Sequence, residues 1–474
     1  MKLYNSLSKS IEDFNPIQPP KVGMYTCGPT VYDYVHIGNF RTYTTADFLL
    51  RALKFNGYDV TYIMNITDVG HLTGDNLGDA DTGEDRMEKA SKREGKSAWD
   101  IARHYEESFK KDFDLLHLTQ PLKWTRATEY IEEQIALVKT LEEKGFTYKT
   151  SDGIYFDTAK FPEYGKLSFL DHSGIQEGAR VAKNEEKKNP TDFALWKFSP
   201  TDVKRQMEWE SPWGLGFPGW HIECSAMSMK YLGETFDIHT GGEDLAATHH
   251  PNEIAQSEAA TGKQFVNYWV HGAFMMVDGE RMSKSKGNNY KLSDIQAKGY
   301  DPMALRYLYL QAHYRQKMNF TWEALDAASK ALKKIKDQVA NIKVTDQNSK
   351  RTILSEEKMG KVNAYRESFT EAINNDLNMP QSLAVLWEVL KSNIPSEDKY
   401  DLTLSFDEVF GLQLNSMPKV IVEDIPTEIR ELVDKREKLR INKQWDEADA
   451  VRKQIQERGF DVIDSEAGAS IIHR

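Results

Sequence analysis

The sequence predicts an α/β fold in which a parallel sheet is divided by an α+β insertion and followed by helical modules. Three observations lead there. A strand–helix–strand unit lies between about Val22 and Ile66. Apolar, Gly-rich sequence returns at "ESPWGLGFPGWHIECSAM" after a polar stretch. Helical patterns dominate from about Pro302 onward.

The first unit opens with "KVGMYTC", a short apolar run that stops at Gly28-Pro29. "GNFRTYTTADFLLRALKFNGY" spaces Phe48, Leu49, Ala52 and Leu53 as a helix does and ends at Asn56-Gly57; "DVTYIMNI" is a β-rich run that ends at Thr67-Asp68. A βαβ unit implies parallel strands with a right-handed crossover, and open sheets of this kind take ligands at the C-terminal ends of their strands. From about Trp124 to Glu208 the pattern is a helix ("EYIEEQIALVKTLEEKG"), short strands ("TYKTSDGIYFDTAKF") and a charged loop, an α+β insertion. The last segment, "IPTEIRELVDKREKLRINKQWDEADAVRKQIQERGFDVID", predicts two antiparallel helices and a closing strand.

At 474 residues the chain is too long for one core, and roughly two to four domains are expected. A hydrophobic content of 40% with 28% charged residues is that of an ordinary water-soluble globular protein. "MKLYNSLSKSIEDF" has neither an apolar h-region nor a cleavage site, so no secretion signal is expected, and no apolar run is long enough to predict a membrane span. Two cysteines, Cys27 and Cys224, suggest no disulfide framework, and the expected setting is the reducing cytoplasm. A net charge of −12 argues against non-specific coating of nucleic acid but leaves room for a local basic surface.

"GLGFPG" (Gly214 to Gly219) matches the dinucleotide pattern G-x-G-x-x-G in letters only, because Pro212 precedes it and Pro218 lies inside it. The acidic stretch after Gly70 is not a calcium loop: following Asp79 and Asp81, the turn glycine falls one residue early, at Gly83. Cys27 and Cys224, with His249 and Glu253 four apart in "THHPNE", offer two thiolates, an imidazole and a carboxylate, a set that suits tetrahedral Zn²⁺. On spacing alone the alternative stays open that both thiols are small buried apolar groups. "DGERMSKSKGNN" (Asp278 to Asn289) alternates lysines and serines beside glycines, as a polyphosphate-wrapping loop does; the plain alternative is a polar loop. In "HIGN", His36 and Asn39 stand at a helix start, where phosphate is stabilised, or else His36 is a cap.

Together these motifs resemble the class I aminoacyl-tRNA synthetases. "CGPTVYDYVHIGN", "NITDV", "GWHIECSAM", "HHPNE", "NYWVHG" and "MSKSKGN" narrow the resemblance to the cysteinyl-tRNA synthetases, over nearly the whole chain. The resemblance implies a Rossmann-type class I synthetase catalytic domain with a connective insertion, followed by an α-helical bundle and a small C-terminal tRNA-binding module. The expected boundaries are 1–125 and 209–290 for the two catalytic halves, 126–208 for the insertion, 291–330 for a stem-contact region, 331–415 for the bundle and 420–474 for an anticodon-recognition module.

By the same resemblance, Cys27, Cys224, His249 and Glu253 are ligands of one zinc ion per chain. His36, Asn39 and Lys284 are catalytic. Thr30, His36, Gly38, Asn39, Arg281, Met282, Ser283, Lys284 and Ser285 bind ATP, which Mg²⁺ accompanies. Thr67, Trp220 and Asp244 line the cysteine pocket, and His221, His239 and His250 match a cluster of nearby histidines. Asn39 replaces the last histidine of the HIGH signature, and Arg281 replaces the first lysine of KMSKS. Pro251 stands where the family commonly has Glu and fits if it lies in the first turn of its helix. The loop after "NITDV" is longer and more acidic than the family's commoner pattern.

The implied activity is ATP-dependent formation of cysteinyl-adenylate and transfer of cysteine to the 3′-terminal ribose of tRNA(Cys), by a monomer that needs no membrane. A pocket built on shape alone separates cysteine from serine weakly, by about 10²; a zinc ion turns the choice into coordination, where thiolate is a strong ligand and hydroxyl a poor one. Two rivals are a cysteine-activating ligase that uses an amino-sugar acceptor and a catalytically inactive zinc- and nucleotide-binding regulator. Retention of the C-terminal segment argues against the first, and intact His36, Asn39 and Lys284 against the second. The segment Arg430 to Lys443 carries six basic residues among acids, a candidate RNA face or simply a solvated helix.

Overall fold

The computed structural model describes residues 1–72, 85–168, 186–201, 204–283, 286–346, 354–415, 426–442, 444–465 and 468–473. The chain divides into two compact units: Met1–Ser329 with Thr370–Ser382, and Lys330–Phe369 with Leu383–Arg474.

In the first unit an antiparallel hairpin, β1 (Lys2–Asn5) and β2 (Ser10–Asp13), precedes β3 (Lys21–Thr26). Helix α1 (Ile37–Phe55) crosses from β3 to β4 (Asp59–Ile66), and α2 (Arg86–Glu94) and α3 (Ala98–Leu115) lead to β5 (Lys123–Arg126). Helix α1 ends where the sequence predicts: Asn56 is its C-cap and Gly57 takes φ +85°. The insertion contains α4 (Ile131–Glu143), then an antiparallel sheet of β6 (Thr147–Lys149), β7 (Gly153–Phe156), β8 (Phe193–Phe198) and β9 (Gly216–Pro218). Trp196, Phe156, Val138 and Leu141 lie in its core.

Helix α5 (Trp220–Leu232), β10 (Phe236–Gly242), α6 (His249–Thr261) and β11 (Val266–Gly272) complete the central sheet. Its five strands are all parallel, in the order β11-β10-β3-β4-β5. Strand order therefore reverses between β3 and β10, and the switch point opens a crevice beyond their C-terminal ends.

The Gly214–Gly219 stretch does end at a helix, since Gly219 precedes α5, but its strand is antiparallel, and Gly216 and Gly219 serve packing. A Cβ on Gly216 would lie 2.1 Å from the Lys197 carbonyl oxygen, and one on Gly219 2.0 Å from that of Ala194. The backbone of β8 occupies the space a side chain needs.

After β11 come β12 (Met275–Val277), β13 (Glu280–Arg281), α7 (Leu292–Ala297), α8 (Pro302–Leu310) and β14 (Met318–Phe320). Two buried guanidiniums tie these elements to α1. Arg41 donates to the carbonyls of Ala273 (2.7 Å), Phe274 (3.0 Å), His313 (3.2 Å) and Gln316 (2.6 Å). Arg306 of α8 donates to Asp47 at 2.6 Å. The Arg41 fork thus satisfies carbonyls where the chain leaves the sheet, which a lysine could not do in the same geometry.

Helices α9 (Trp322–Asp346), α10 (Glu356–Asn374), α11 (Met379–Lys391) and α12 (Ser396–Phe410) follow. Within the second unit Phe369 stacks on Phe406 with centroids 3.9 Å apart. The unit ends with α13 (Thr427–Ile441), α14 (Trp445–Glu457) and an antiparallel hairpin of β15 (Phe460–Ser465) and β16 (Gly468–His473). Ile429, Val433, Val451, Ile455 and Val462 form the core of this last piece. The expected closing strand is a hairpin, because "GASIIH" supplies a second short strand to pair with the first. No described helix is long and apolar enough to cross a membrane.

Candidate functional site

The crevice is built by stitching the turn after β3 to its neighbours. Thr26 and Thr240 share a hydroxyl–hydroxyl bond of 2.7 Å, and the Cys27 amide donates to the Thr240 carbonyl at 3.2 Å. The Gly28 amide donates to Asn65 Oδ1 at 2.7 Å, and a Cβ on Gly28 would stand 1.7 Å from the Asn65 carbonyl oxygen. Only glycine fits there. Thr67 donates its amide to Pro29 and accepts from Val31, which sets Thr30 beside it.

Cys27 leaves this turn toward α5 and α6. Its Sγ lies 3.8 Å from Cys224 Sγ and 3.7 Å from Glu253 Oε1, and His249 Nε2 lies 3.0 Å from the same carboxylate oxygen. One donor atom from each of Cys27, Cys224, His249 and Glu253 lies within 4.8 Å of the others, all buried. Pro251 is the third residue of α6, in its first turn, so the His249–Glu253 spacing survives.

A second set, Cys27, His239, His250 and Glu253, overlaps the first. The surrounding hydrogen bonds favour the set with both thiols. His221 Nδ1 meets His249 Nδ1 at 2.9 Å, so His249 keeps Nε2 turned to the cluster. His239 Nε2 meets Glu253 Oε2 at 3.0 Å and leaves Oε1 facing inward. His250 Nε2 lies 3.5 Å from Cys27 Sγ, and its Nδ1 meets His271 at 2.7 Å. Outer partners that fix which atom each ligand presents are what metal sites require.

The cluster attracts positive charge. Burial works against a proton on His249, yet Glu253 and Cys224 beside it push its pKa up to about 10. Burial likewise pushes Glu253 up, but His239 and His249 outweigh it and bring the carboxyl down to about 2. Two soft sulfur donors, a nitrogen and an oxygen in a dry, negatively biased cage fit Zn²⁺.

The start of α1 and the segment around "RMSKSKGN" meet each other. His36 caps α1, its Nδ1 accepting from the Asn39 amide at 3.2 Å. With Nδ1 an acceptor, the neutral ring carries its proton on Nε2. The Ile37 amide donates to Tyr290, and His36 pairs with Lys291, which joins α1 to the segment after "RMSKSKGN". A Cβ on Gly38 would come within 2.1 Å of Met282 Cε. The Arg281 guanidinium lies over the Phe274 ring at 5.3 Å, and the Ser283 amide donates to Asn288 at 2.8 Å. Lys284 and Ser285, and most of the acidic loop (73–84), lie outside the described residues.

In the expected amino-acid pocket, Thr67 is buried and Trp220, the first residue of α5, stacks obliquely on His249 with centroids 4.3 Å apart. Asp244 is exposed on the turn after β10. Sequence reasoning missed Glu223 and His71. Glu223 is fully buried, accepts from the Thr67 hydroxyl at 3.1 Å and meets His71 Nε2 at 2.7 Å. Burial pushes Glu223 up to about 8 and His71 down to about 3, so the pair carries no net charge at neutral pH. A single acid inside the run "GWHIECSAM" was the available signal.

Residues 13–330 match the family described as tRNA synthetases class I (C) catalytic domain. A cysteine–tRNA ligase of Burkholderia lata is 50% identical over 470 residues, covering 99% of this chain and 96% of the relative. One from Treponema denticola is 40% identical, covering 99% and 98%. Among solved structures, methionyl-tRNA synthetase of Mycobacterium tuberculosis with methionyl-adenylate superposes with a TM-score of 0.57 at 14% identity, over 83% of this chain and 90% of that one. The LeuRS of an Agrobacterium radiobacter ternary complex gives 0.61 at 11%, over 85% of each. These two share the fold.

Proposed function

The chain belongs to the class I cysteine–tRNA ligase family, and from that premise we propose how its crevice carries out ATP-dependent cysteinylation of tRNA(Cys). The observation that carries the reading is the buried Cys27–Cys224–His249–Glu253 cluster at the end of β3, the strand whose following segment leads into the start of α1 with His36 and Asn39. Zn²⁺ held by these four side chains would supply a preference for the substrate thiolate over a serine hydroxyl.

The chain's own residues do the rest by position and charge. Thr67, Trp220 and Asp244 hold the amino acid with its carboxylate toward the α-phosphate of ATP. Attack there forms cysteinyl-adenylate and releases pyrophosphate. His36 Nε2–H, Asn39 and the amides of the first turn of α1 face the phosphates, with Thr30 and Gly38 shaping the approach. Arg281, Met282, Ser283, Lys284 and Ser285 form the loop over the triphosphate, Lys284 meeting the charge that develops on the departing pyrophosphate. Mg²⁺ accompanies the nucleotide. The ribose hydroxyl of the tRNA end then takes the cysteinyl group and AMP leaves.

The catalytic halves (1–125 and 209–290), separated by the connective insertion (126–208), perform activation, and the stem-contact region (291–330), bundle (331–415) and terminal module (420–474) receive the tRNA. The enzyme acts as a cytoplasmic monomer. Relatives that match at full length are cysteine–tRNA ligases, so an amino-sugar acceptor has no support. The test is cysteine-dependent pyrophosphate exchange together with charging of transcribed tRNA(Cys). Exchange without charging would overturn the tRNA assignment; exchange with serine and not cysteine would overturn the pocket.

A further inference from the structure

We propose that His71 is a positioning residue for the amino-acid pocket: it orients Glu223, which in turn fixes the hydroxyl of Thr67. A chain of short contacts runs from His71 to the turn that bears Cys27. His71 Nε2 meets Glu223 Oε1 at 2.7 Å, the Thr67 hydroxyl donates to Glu223 Oε2 at 3.1 Å, Asn65 Nδ2 donates to the Thr67 oxygen at 3.1 Å, and the Gly28 amide donates to Asn65 Oδ1 at 2.7 Å. Both Glu223 oxygens are engaged, and the Thr67 hydroxyl donates once and accepts once. Its direction is thereby set, with no rotamer left to settle when substrate arrives.

His71 is itself held. Its carbonyl accepts from the Arg86 amide at 3.0 Å, and Leu72 pairs with Asp85 across the base of the acidic loop. The Asp85 carboxylate fills the space beside Gly70, where a Cβ would lie 2.2 Å from Oδ2, and it caps α2 through the amides of Met87 (2.7 Å) and Glu88 (2.9 Å). Arg205 donates to the same carboxylate and lies over Phe217 at 3.6 Å. These contacts hold the backbone at His71 and present its imidazole to Glu223. His71 also faces Trp220, with centroids 6.5 Å apart, so it borders one residue assigned to the pocket and reaches a second, Thr67, through Glu223.

A buried carboxyl that loses one of its two partners re-orients toward the remaining one or takes in water, and either disturbs Thr67. None of these four side chains belongs to the ATP-facing signatures. The effect should therefore fall on the amino acid and spare the nucleotide.

The inference rests on the reading of this crevice as the cysteine pocket. The experiment measures pyrophosphate exchange with the full-length, zinc-loaded protein while cysteine and ATP are varied separately. His71→Ala should raise the KM for cysteine roughly 10-fold, leaving the ATP KM and the zinc content unchanged. His71→Gln, whose amide can still donate to or accept from Glu223, should restore most of the loss, and His71→Leu, which fills the space without a polar group, should not. If His71→Ala fails to fold, the Gln and Leu pair alone gives the comparison. Equal cysteine KM in the Gln and Leu variants, or a parallel rise for ATP with loss of zinc, would overturn the inference. Wild-type protein that exchanges with no amino acid would overturn the underlying reading instead.

Discussion

Met282 Cε sits in the space that a side chain on Gly38 would need, 2.1 Å from an ideal Cβ there. Gly38 belongs to the signature at the start of α1 and Met282 to the loop that carries Lys284, 244 residues downstream. The close fit means that one signature sets the position of the other.

Gly38→Ala should accordingly slow activation far more than it unfolds the protein. Met282 is flexible and can move aside cheaply, but its loop moves with it, and misplacement by about 1 Å costs up to roughly 100-fold in rate. The expected result is a 10- to 100-fold lower turnover in pyrophosphate exchange, on the order of that principle, with the melting temperature nearly unchanged. Adding Met282→Ala should recover part of the rate. If the double variant is no faster than Gly38→Ala, the clash is not the cause.

Zinc should be present at one ion per chain, and Cys27→Ser should lower both its retention and the affinity for cysteine, because a hydroxyl is a far poorer ligand than thiolate. Elemental analysis of both proteins after the same chelator treatment reads the first effect, and the cysteine KM reads the second. Full activity in metal-free wild-type protein would remove the assignment.

Asp47 makes a pH-dependent contribution to stability. Burial raises its pKa, but Arg306 and Arg51, at 2.6 and 2.8 Å, outweigh that and bring it down to about 2, below the ordinary carboxylate range. A folded pKa below the unfolded one means stability that is fully present above the unfolded value and lost as pH falls through the folded one. The contribution, about 2 kcal/mol, is therefore present at neutral pH and disappears between about pH 4 and pH 2. Asp47→Asn should be less stable than wild type at pH 7, with the gap in denaturant midpoint closing across that window. A gap that stays constant down to pH 2 would assign the loss to packing.

Much of the architecture was legible in local pattern. The βαβ unit, the stop of α1 at Asn56-Gly57, the insertion and the two terminal helices all follow from spacing and turn residues. Of the metal cluster, spacing shows only His249 and Glu253, one helical turn apart; Cys27 and Cys224, 197 residues apart, are joined by topology alone. The bracing of His249 by His221 and of Glu253 by His239 depends on which ring nitrogen faces inward, which no linear pattern encodes. The basic run at Arg430–Lys443 does not lie on one exposed face. Arg436 is fully buried, and it stands at helical spacing from the core residues Ile429 and Val433. That spacing could have removed it from the RNA-facing set. Lys443 lies outside the described residues, and Arg430, Lys435 and Lys438 are the cations exposed on α13.

A protein ending near Pro418 should still activate cysteine but charge tRNA poorly. Every predicted zinc ligand and both nucleotide signatures lie before residue 290, in the first unit. The terminal piece has its own core of Ile429, Val433, Val451, Ile455 and Val462, drawn from α13, α14 and β15. Its removal strips out a cluster with its own core and none of the residues named at the crevice. What is lost is a surface with Arg430, Lys435 and Lys438 exposed, suited to phosphate contacts that release counterions and weaken as salt rises. Pyrophosphate exchange in the truncated protein should stay within about 2-fold of full length, while aminoacylation falls by 10-fold or more, on the scale set by losing a few phosphate contacts. Salt should then weaken tRNA binding less steeply in the truncated protein than in the full chain. Equal loss of exchange and charging would show that the terminal piece supports folding of the catalytic unit. Unchanged charging would show that residues 420–474 make no energetically significant contact with tRNA.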